Sequence, residues 1–315
     1  MKAVAPRAGR STQSKRSPLK KFVQSKEWQL HLLLIPGIVV IFIYCYIPLY
    51  GVIIAFQKFS PAKGFVSPWV GWDNFKFLFQ QPNFVRTIWN TLYIAVFKLV
   101  LTQLVSIVFA LMLNELRHMG LKRSIQTLVY LPNFLSWVIL AGMLTDILST
   151  TGLLNQLLGT LGVAPISFLG NPRVFPWTMI ISEVWKSFGY GAIIYLAALT
   201  NIDPGLYEAA ALDGANRWQQ TWKITLPSIM PTIVLMSLLS IGSLLNAGFD
   251  QIYNLYGPAV YETGDIIDTY MYRLGMKDAQ YSFGTAVGLF KSVVSCILIS
   301  LSYWAADRFA NYKIL

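Results

Sequence analysis

Charge is scarce in this sequence: only 12% of the 315 residues are Asp, Glu, Lys or Arg, about half the ~25% of ordinary soluble domains. That deficit excludes a conventional soluble fold. Acidic residues are the scarcer sign, 14 against 25 basic ones, for a net charge of +11. There are only two histidines and two cysteines. His31 and His118 stand near helix ends without paired carboxylates or metal-spaced ligands, so neither a catalytic residue nor a metal site is expected, and a membrane enzyme is excluded. Cys45 and Cys296 fall inside apolar runs, which excludes a bridge between soluble loops and leaves them as small packing residues. No Gly-Lys-Ser/Thr phosphate loop occurs, so this chain is not expected to hydrolyse ATP itself.

What the sequence has is apolar length: 55% of residues are hydrophobic and the mean hydropathy is +0.52. Several runs reach the roughly 20 residues needed to cross ~30 Å of hydrocarbon. Six spans are expected, at 30–56, 88–114, 124–148, 174–200, 228–249 and 282–306. The runs are continuous rather than alternating, which predicts an all-α polytopic protein and not a barrel.

Basic residues orient it. One side collects Lys2, Arg7, Arg10, Lys15, Arg16, Lys20, Lys21, Lys26, Arg117, Lys122, Arg123, Arg217, Lys223, Arg308 and Lys313. The other holds Lys58, Lys63, Lys76, Arg86, Arg173, Arg273 and Lys277, about half as many. The positive-inside rule then predicts both termini in the cytoplasm. The basic excess is explained by topology and lacks the aromatic interleaving of a nucleic-acid face. The first run is too long for a signal-peptide core, so a retained span is expected.

The organisation that follows is a basic tail (1–26), a first helix with its external segment (27–86), a core of five helices (87–307) and a short C-terminus (308–315). The tail either lies on anionic headgroups or only fixes topology. The segment 57–86 is aromatic (Phe59, Phe65, Trp69, Trp72, Phe75, Phe77, Phe79) and predicts a short interfacial helix. A kink is expected at Pro132. The loop 250–281, with Asp250, Glu262, Asp265, Asp268 and Asp278, reads as the most acidic exterior surface.

Between spans four and five lies a polar, Ala-rich helix. Asp203 is placed to cap it, Pro204 suits its first position, and Gly214 can adopt the left-handed conformation that ends it. A turn-helix then runs through Trp218 and Trp222 to Pro227, where the next span is expected to begin. Composition alone allows either an amphipathic helix resting on lipid or a docking element. Ala209, Ala210 and Ala211 would let another surface approach, and Glu208 and Asp213 offer carboxylates to a basic partner.

The order Glu208-Ala209-Ala210, Gly214-Ala215, then Ile224, Leu226 and Pro227 resembles the coupling loop of binding-protein-dependent ABC importer permeases of type I. From about residue 28 onward the resemblance is to the carbohydrate-uptake branch, including permeases for pectin- or alginate-derived oligosaccharides. It is carried by Tyr195-Leu196-Ala197-Ala198-Leu199, by 246–252 and by 264–270. The resemblance implies an importer permease in the bacterial cytoplasmic (inner) membrane. Its expected partners are a second, similar permease, two ATPase subunits carrying ATP and magnesium, an extracytoplasmic solute-binding protein and a carbohydrate solute; no cofactor is expected in this chain. The loop 201–227 would then transmit ATPase closure to the spans. An ion-coupled secondary carrier is the alternative, but the inverted repeats it needs are not evident.

Ionisable residues within spans default to functional candidates. Here they are Lys98, Asp146, Glu183, Lys186 and Lys291. Glu183, Lys186, Ser187 and Tyr190 on span four, with Ser243, Asn246 and Asp250 towards the outer half of span five, are expected to line the solute path. The competing reading makes Glu183 and Lys186 a buried structural pair, being three residues apart. The excess of lysines over carboxylates would suit an acidic saccharide.

Overall fold

The structure, a computed structural model, describes residues 27–310. The basic tail of 1–26 and the last five residues lie outside that range. Two compact units are present, Met1–Val52 and Ile53–Leu315. In the first, helix α1 (Glu27–Ile41) passes into a π turn at Phe42–Tyr46. Its side chains from His31 to Tyr50 are exposed, as expected of an apolar helix solvated by lipid.

The second unit is built of helices joined by irregular segments, and its described residues pair as strands only at isolated bridges, Gln57 with Trp69 and Ser60 with Gly64. The expected interfacial helix is α2 (Asp73–Gln80), which buries Phe75 and Leu78. Helix α3 (Pro82–Glu115) has Pro82 at its first position, where no backbone hydrogen bond is lost. Its 34 residues extend ~50 Å at 1.5 Å per residue.

Among the described residues, four stretches are single helices long and apolar enough to cross a membrane: His31–Phe56, Pro82–Glu115, Arg217–Gly242 and Tyr281–Trp304. The third expected span is not a kinked helix but a broken one. Helix α4 (Met119–Tyr130) runs into a 3-10 turn at Leu131–Phe134, and α5 (Trp137–Ile147) leaves at 103°. Leu131 keeps helical dihedrals before Pro132, the chain turns extended only at Leu135 and Ser136, and Ser136 then starts a new helix by accepting the Ile139 amide at 3.3 Å. After the short helix α6 (Leu153–Thr160), the fourth expected span is α7 (Phe175–Thr200), long enough to cross but less apolar.

The fifth expected span is shifted towards the N-terminus. Helix α8 (Pro204–Leu212) and α9 (Arg217–Gln220) follow α7, and α9 continues through a π turn at Thr221–Thr225 into α10 (Leu226–Gly242). The continuous helix therefore starts at Arg217 rather than beyond Pro227, because the π turn absorbs the amide that Pro227 lacks. It stops at Gly242, and 243–248 is irregular up to Gly248 at φ +96.

The loop 250–281 is folded, and of its acidic residues Asp250, Glu262 and Asp278 are exposed while two are not. It forms α11 (Phe249–Leu255), α12 (Tyr261–Gly264) and α13 (Ile267–Tyr272), and Asp265 and Asp268 are buried. Asp265 is paired with Arg273, which also lies over the Tyr261 ring at 4.4 Å. Burial opposes the guanidinium's charge, but the hydrogen bond and charge of Asp265 outweigh it and raise the Arg273 pKa. Burial, reinforced by the Asp265 charge, pushes the Tyr256 phenol up to about 12. Helix α14 (Tyr281–Ala310) closes the fold. It crosses the preceding turn where Gly284 meets Gly275, a Cβ at Gly284 falling 2.7 Å from the Gly275 Cα. Such close approach is how small residues join membrane helices.

Candidate functional site

Helices α3 and α7 pack along much of their length, helped by Gly191, where a Cβ would fall 2.6 Å from the Ser106 hydroxyl. With α10 and the irregular segment after it they bound a cavity of about 410 Å³. Each wall is a row of every fourth residue: Lys98, Thr102 and Ser106 on α3; Glu183, Ser187, Gly191 and Tyr195 on α7; Met236, Ser240 and Leu244 along α10 and just past its end. Residues four apart on a helix share a face, so α3 and α7 turn polar rows, and α10 a mostly apolar one, onto one space.

Of the expected solute-path residues, Glu183, Ser187, Ser243 and Asn246 line this cavity. Lys186 and Tyr190 belong to the adjacent row on α7 and do not. Lys186 reaches the Asn133 carbonyl at 3.3 Å and lies 5.5 Å from the Trp137 ring centroid. Tyr190 is exposed, and Asp250 is exposed in the first turn of α11. The shift of the fifth span explains the placements after it. Ser243 caps α10 and Asn246 lies in the irregular segment, so neither extends a straight helix.

The expected pairing of Glu183 with Lys186 does not form. Glu183 instead accepts a hydrogen bond from the Ser187 hydroxyl at 2.7 Å and lies 4.0 Å from the Lys98 ammonium. Lys98 is only 7% exposed and crosses to the irregular segment. It donates to the Ala247 carbonyl at 2.7 Å and to the Gln251 side-chain carbonyl. Gln251 passes the connection back to α7, donating to the Met179 carbonyl and the Ser182 hydroxyl, both at 2.8 Å. Lys291 is likewise matched, by Asp268 at 2.5 Å and the Asn246 side-chain oxygen at 2.7 Å. Lys98, the one lysine lining the cavity, and Lys291 beside Asn246 therefore each face a carboxylate, while Lys186 off the cavity meets only the Asn133 carbonyl and the Trp137 ring.

Gln103, Ser106, Trp137, Tyr195 and Ser240 also line the cavity and were not expected there from the sequence. The four-residue spacing of Lys98, Thr102 and Ser106 in an apolar run was the legible signal, because a polar row on a membrane helix must face something other than lipid.

The loop 201–227 folds as its sequence implies. Asp203 accepts the Gly205 amide at 2.9 Å. Gly214 sits at φ +78, with Gly214 N–H donating to the Ala211 carbonyl at 3.1 Å and Ala215 N–H to the Ala210 carbonyl at 2.9 Å. Those two bonds make a Schellman cap. Asn216 and Gln219 then form a reciprocal capping box that starts α9. Tyr207 and Thr225 join hydroxyls at 2.9 Å, and Arg217 pairs with Glu115, tying the loop to α10 and α3. Glu208, Ala209, Asp213, Gly214 and Pro227 are exposed, while Ala210, Ala215, Ile224 and Leu226 are half-buried. Leu212, at the end of α8, is 89% exposed.

Residues 103–311 match the family described as binding-protein-dependent transport system inner membrane component. Protein LplB of Bacillus subtilis strain 168 is 44% identical over 283 residues, covering 89% of each chain. The polygalacturonan/rhamnogalacturonan transport system permease protein YteP of the same strain is 41% identical, covering 93% of this chain and 91% of its own. Among solved structures, a chain of a bacterial ABC transporter involved in import of the acidic polysaccharide alginate superposes with TM-score 0.85 at 40% identity, covering 92% of this chain and 99% of that one. A chain of a bacterial alginate ABC transporter in complex with alginate pentasaccharide-bound periplasmic protein gives TM-score 0.86 at 38% identity, over 95% and 100%.

Proposed function

Because this chain belongs to the family of binding-protein-dependent transport system inner membrane components, we propose that it is the permease half of an ABC importer for oligosaccharides, acidic ones included. The carbohydrate class is supported by YteP, a polygalacturonan/rhamnogalacturonan permease, and by the transporter involved in the import of alginate. The cavity is the observation that carries the reading. Two polar rows, on α3 and α7, offer hydroxyl-pairing groups beside the apolar Met236, Leu244 and Trp137, as saccharide sites require.

In this reading a second, similar permease supplies the opposite wall, and a solute-binding protein delivers cargo from outside the inner membrane. Two ATPase subunits, holding ATP and magnesium, grip α8. The exposure of Glu208, Ala209 and Asp213 and the rigid caps at both ends of α8 support it as a handle. Closure of the ATPases would drag the loop and, through the Tyr207 to Thr225 and Arg217 to Glu115 contacts, bias α10 and α3 between inward and outward access. A bound nucleotide shifts that equilibrium only by binding one state better.

The test is Glu208→Lys in the assembled complex. Membrane abundance is expected to stay at wild-type level while uptake of oligogalacturonates falls at least about tenfold, the cost of roughly 1.4 kcal/mol of lost coupling. Wild-type uptake by this variant would sink the docking role. Uptake that survives inactivation of the ATPase subunits would favour an ion-coupled carrier instead.

A further inference from the structure

Lysine offers three donors and no acceptor, so a side-chain amide that bonds to it must turn its oxygen towards it. Asn246 does this: Lys291 donates to its Oδ1 at 2.7 Å, and Lys291 is itself held by Asp268 at 2.5 Å. Asp268 and Lys291 are 12% and 16% exposed, so the pair is set into the protein. Asn246 lines the cavity and is exposed to it. Its oxygen already accepts from Lys291, while its NH2 group meets no acceptor among the described residues and is left to donate.

We propose that the Asp268 and Lys291 pair is a positioning device for solute recognition, fixing Asn246 so that its amide presents two N–H donors to the oxygens of the solute. The contrast with Gln251 gives the assignment its content. There Lys98 takes the amide oxygen in the same way, but the N–H groups are consumed by Met179 and Ser182, so that amide is structural. Ser187 supplies the complement. It donates its single proton to Glu183 and can face the cavity only as an acceptor. The irregular segment places Asn246 off the helix, where its rotamer would be free without Lys291. Locking it removes an ordering cost from binding. The matching solute group is one rich in acceptor oxygens, a uronate carboxylate or a ring hydroxyl.

This inference rests on the proposed saccharide cavity, and its test separates the two. Equilibrium dialysis of labelled oligogalacturonates and alginate oligosaccharides would be run against the purified full complex without the solute-binding protein. The variants are Asn246→Leu, the neutral pair Lys291→Met with Asp268→Asn, their combination, and Lys291→Arg. Loss of one well-aligned hydrogen bond predicts a Kd rise of about three- to tenfold for Asn246→Leu and for the neutral pair. The combined variant should match Asn246→Leu alone, and Lys291→Arg should stay within about twofold of wild type, since Arg also only donates. Additive losses, or a neutral pair that binds normally while Asn246→Leu does not, overturn the positioning role and leave the cavity reading intact. No binding by the wild-type complex, or normal binding by Asn246→Leu, overturns both. Should the neutral pair fail to assemble, Asn246→Asp supplies a second variant. It keeps an oxygen for Lys291 but has no N–H, and it should weaken binding as Asn246→Leu does; unaltered binding overturns the proposal.

Discussion

At Lys98 a single side chain joins three segments that are far apart in sequence. Its ammonium is shared between the Glu183 carboxylate, the Ala247 carbonyl and Gln251, and Gly248 makes room for it, a Cβ there falling 2.8 Å from the Lys98 nitrogen. Removing one partner of a fully buried ion pair costs about 3–5 kcal/mol. Glu183 retains 24% exposure, so Lys98→Met should cost less, on the order of 2 kcal/mol. The expected outcome is a lowered thermal midpoint in detergent, with part of the loss recovered when Glu183→Gln is added. A double variant as unstable as the single one would mean that Lys98 acts through Ala247 and Gln251 alone. The presence of Lys98, Glu183 and Lys291 inside spans was legible in the sequence, but their partners were not. Spacing of three offered Lys186 to Glu183, whereas the ammonium that reaches it comes from another helix, and nothing local in a sequence records which distant segment packs opposite.

Helices carry the next layer of specification. The caps of α8 could be read directly, because Asp203, Pro204 and Gly214 each meet a backbone requirement within a turn of their own position. The breaks in longer helices were less legible. Pro132 was visible as a disruption, but its size was not, since a proline states that a hydrogen bond is missing and the packing around it decides the 103° angle. Gly242 and Gly248 bracket an irregular segment in what reads as one apolar run, and only its contacts with Lys98 and Lys291 reveal it. The crossing of α14 over Gly275 allows a direct check. Gly284→Val would press a side chain against the Gly275 backbone and the Met271 carbonyl, which a Cβ would approach to 3.4 Å. Overpacking of this kind costs about 1–3 kcal/mol. A reduced melting temperature is expected, while Gly257→Val, with nothing within 4 Å of its Cβ, should be near neutral. Equal stability of the two variants would refute the contact.

For the molecule as a whole, the separation of basic residues between the two sets of loops was the strongest sequence argument for orientation, and it places the 201–227 loop on the basic side. Leu212 offers a probe of that placement because it is 89% exposed. With Cys45 and Cys296 replaced by alanine, Leu212→Cys should react with a membrane-impermeant maleimide in inside-out vesicles and stay unlabelled in intact spheroplasts. Labelling from the outer face would invert the topology. The helical class and the presence of long apolar runs were legible because burial in lipid demands internally bonded backbone and continuous apolar length, whereas the ends of the fifth were not. The cavity was only partly so. It is made where three helices meet, and four of the seven residues expected there face it while Lys186, Tyr190 and Asp250 do not.

The matched charges at this cavity carry a kinetic consequence. A lining whose ammonium groups are already answered by carboxylates has no surplus field with which to detain a polyanion, so cargo would dwell there briefly and leave without an electrostatic penalty. Conduction favours sites that admit a passenger and still let it go. Strong discrimination would then belong upstream of this chain, and the pore could remain fast by being indifferent.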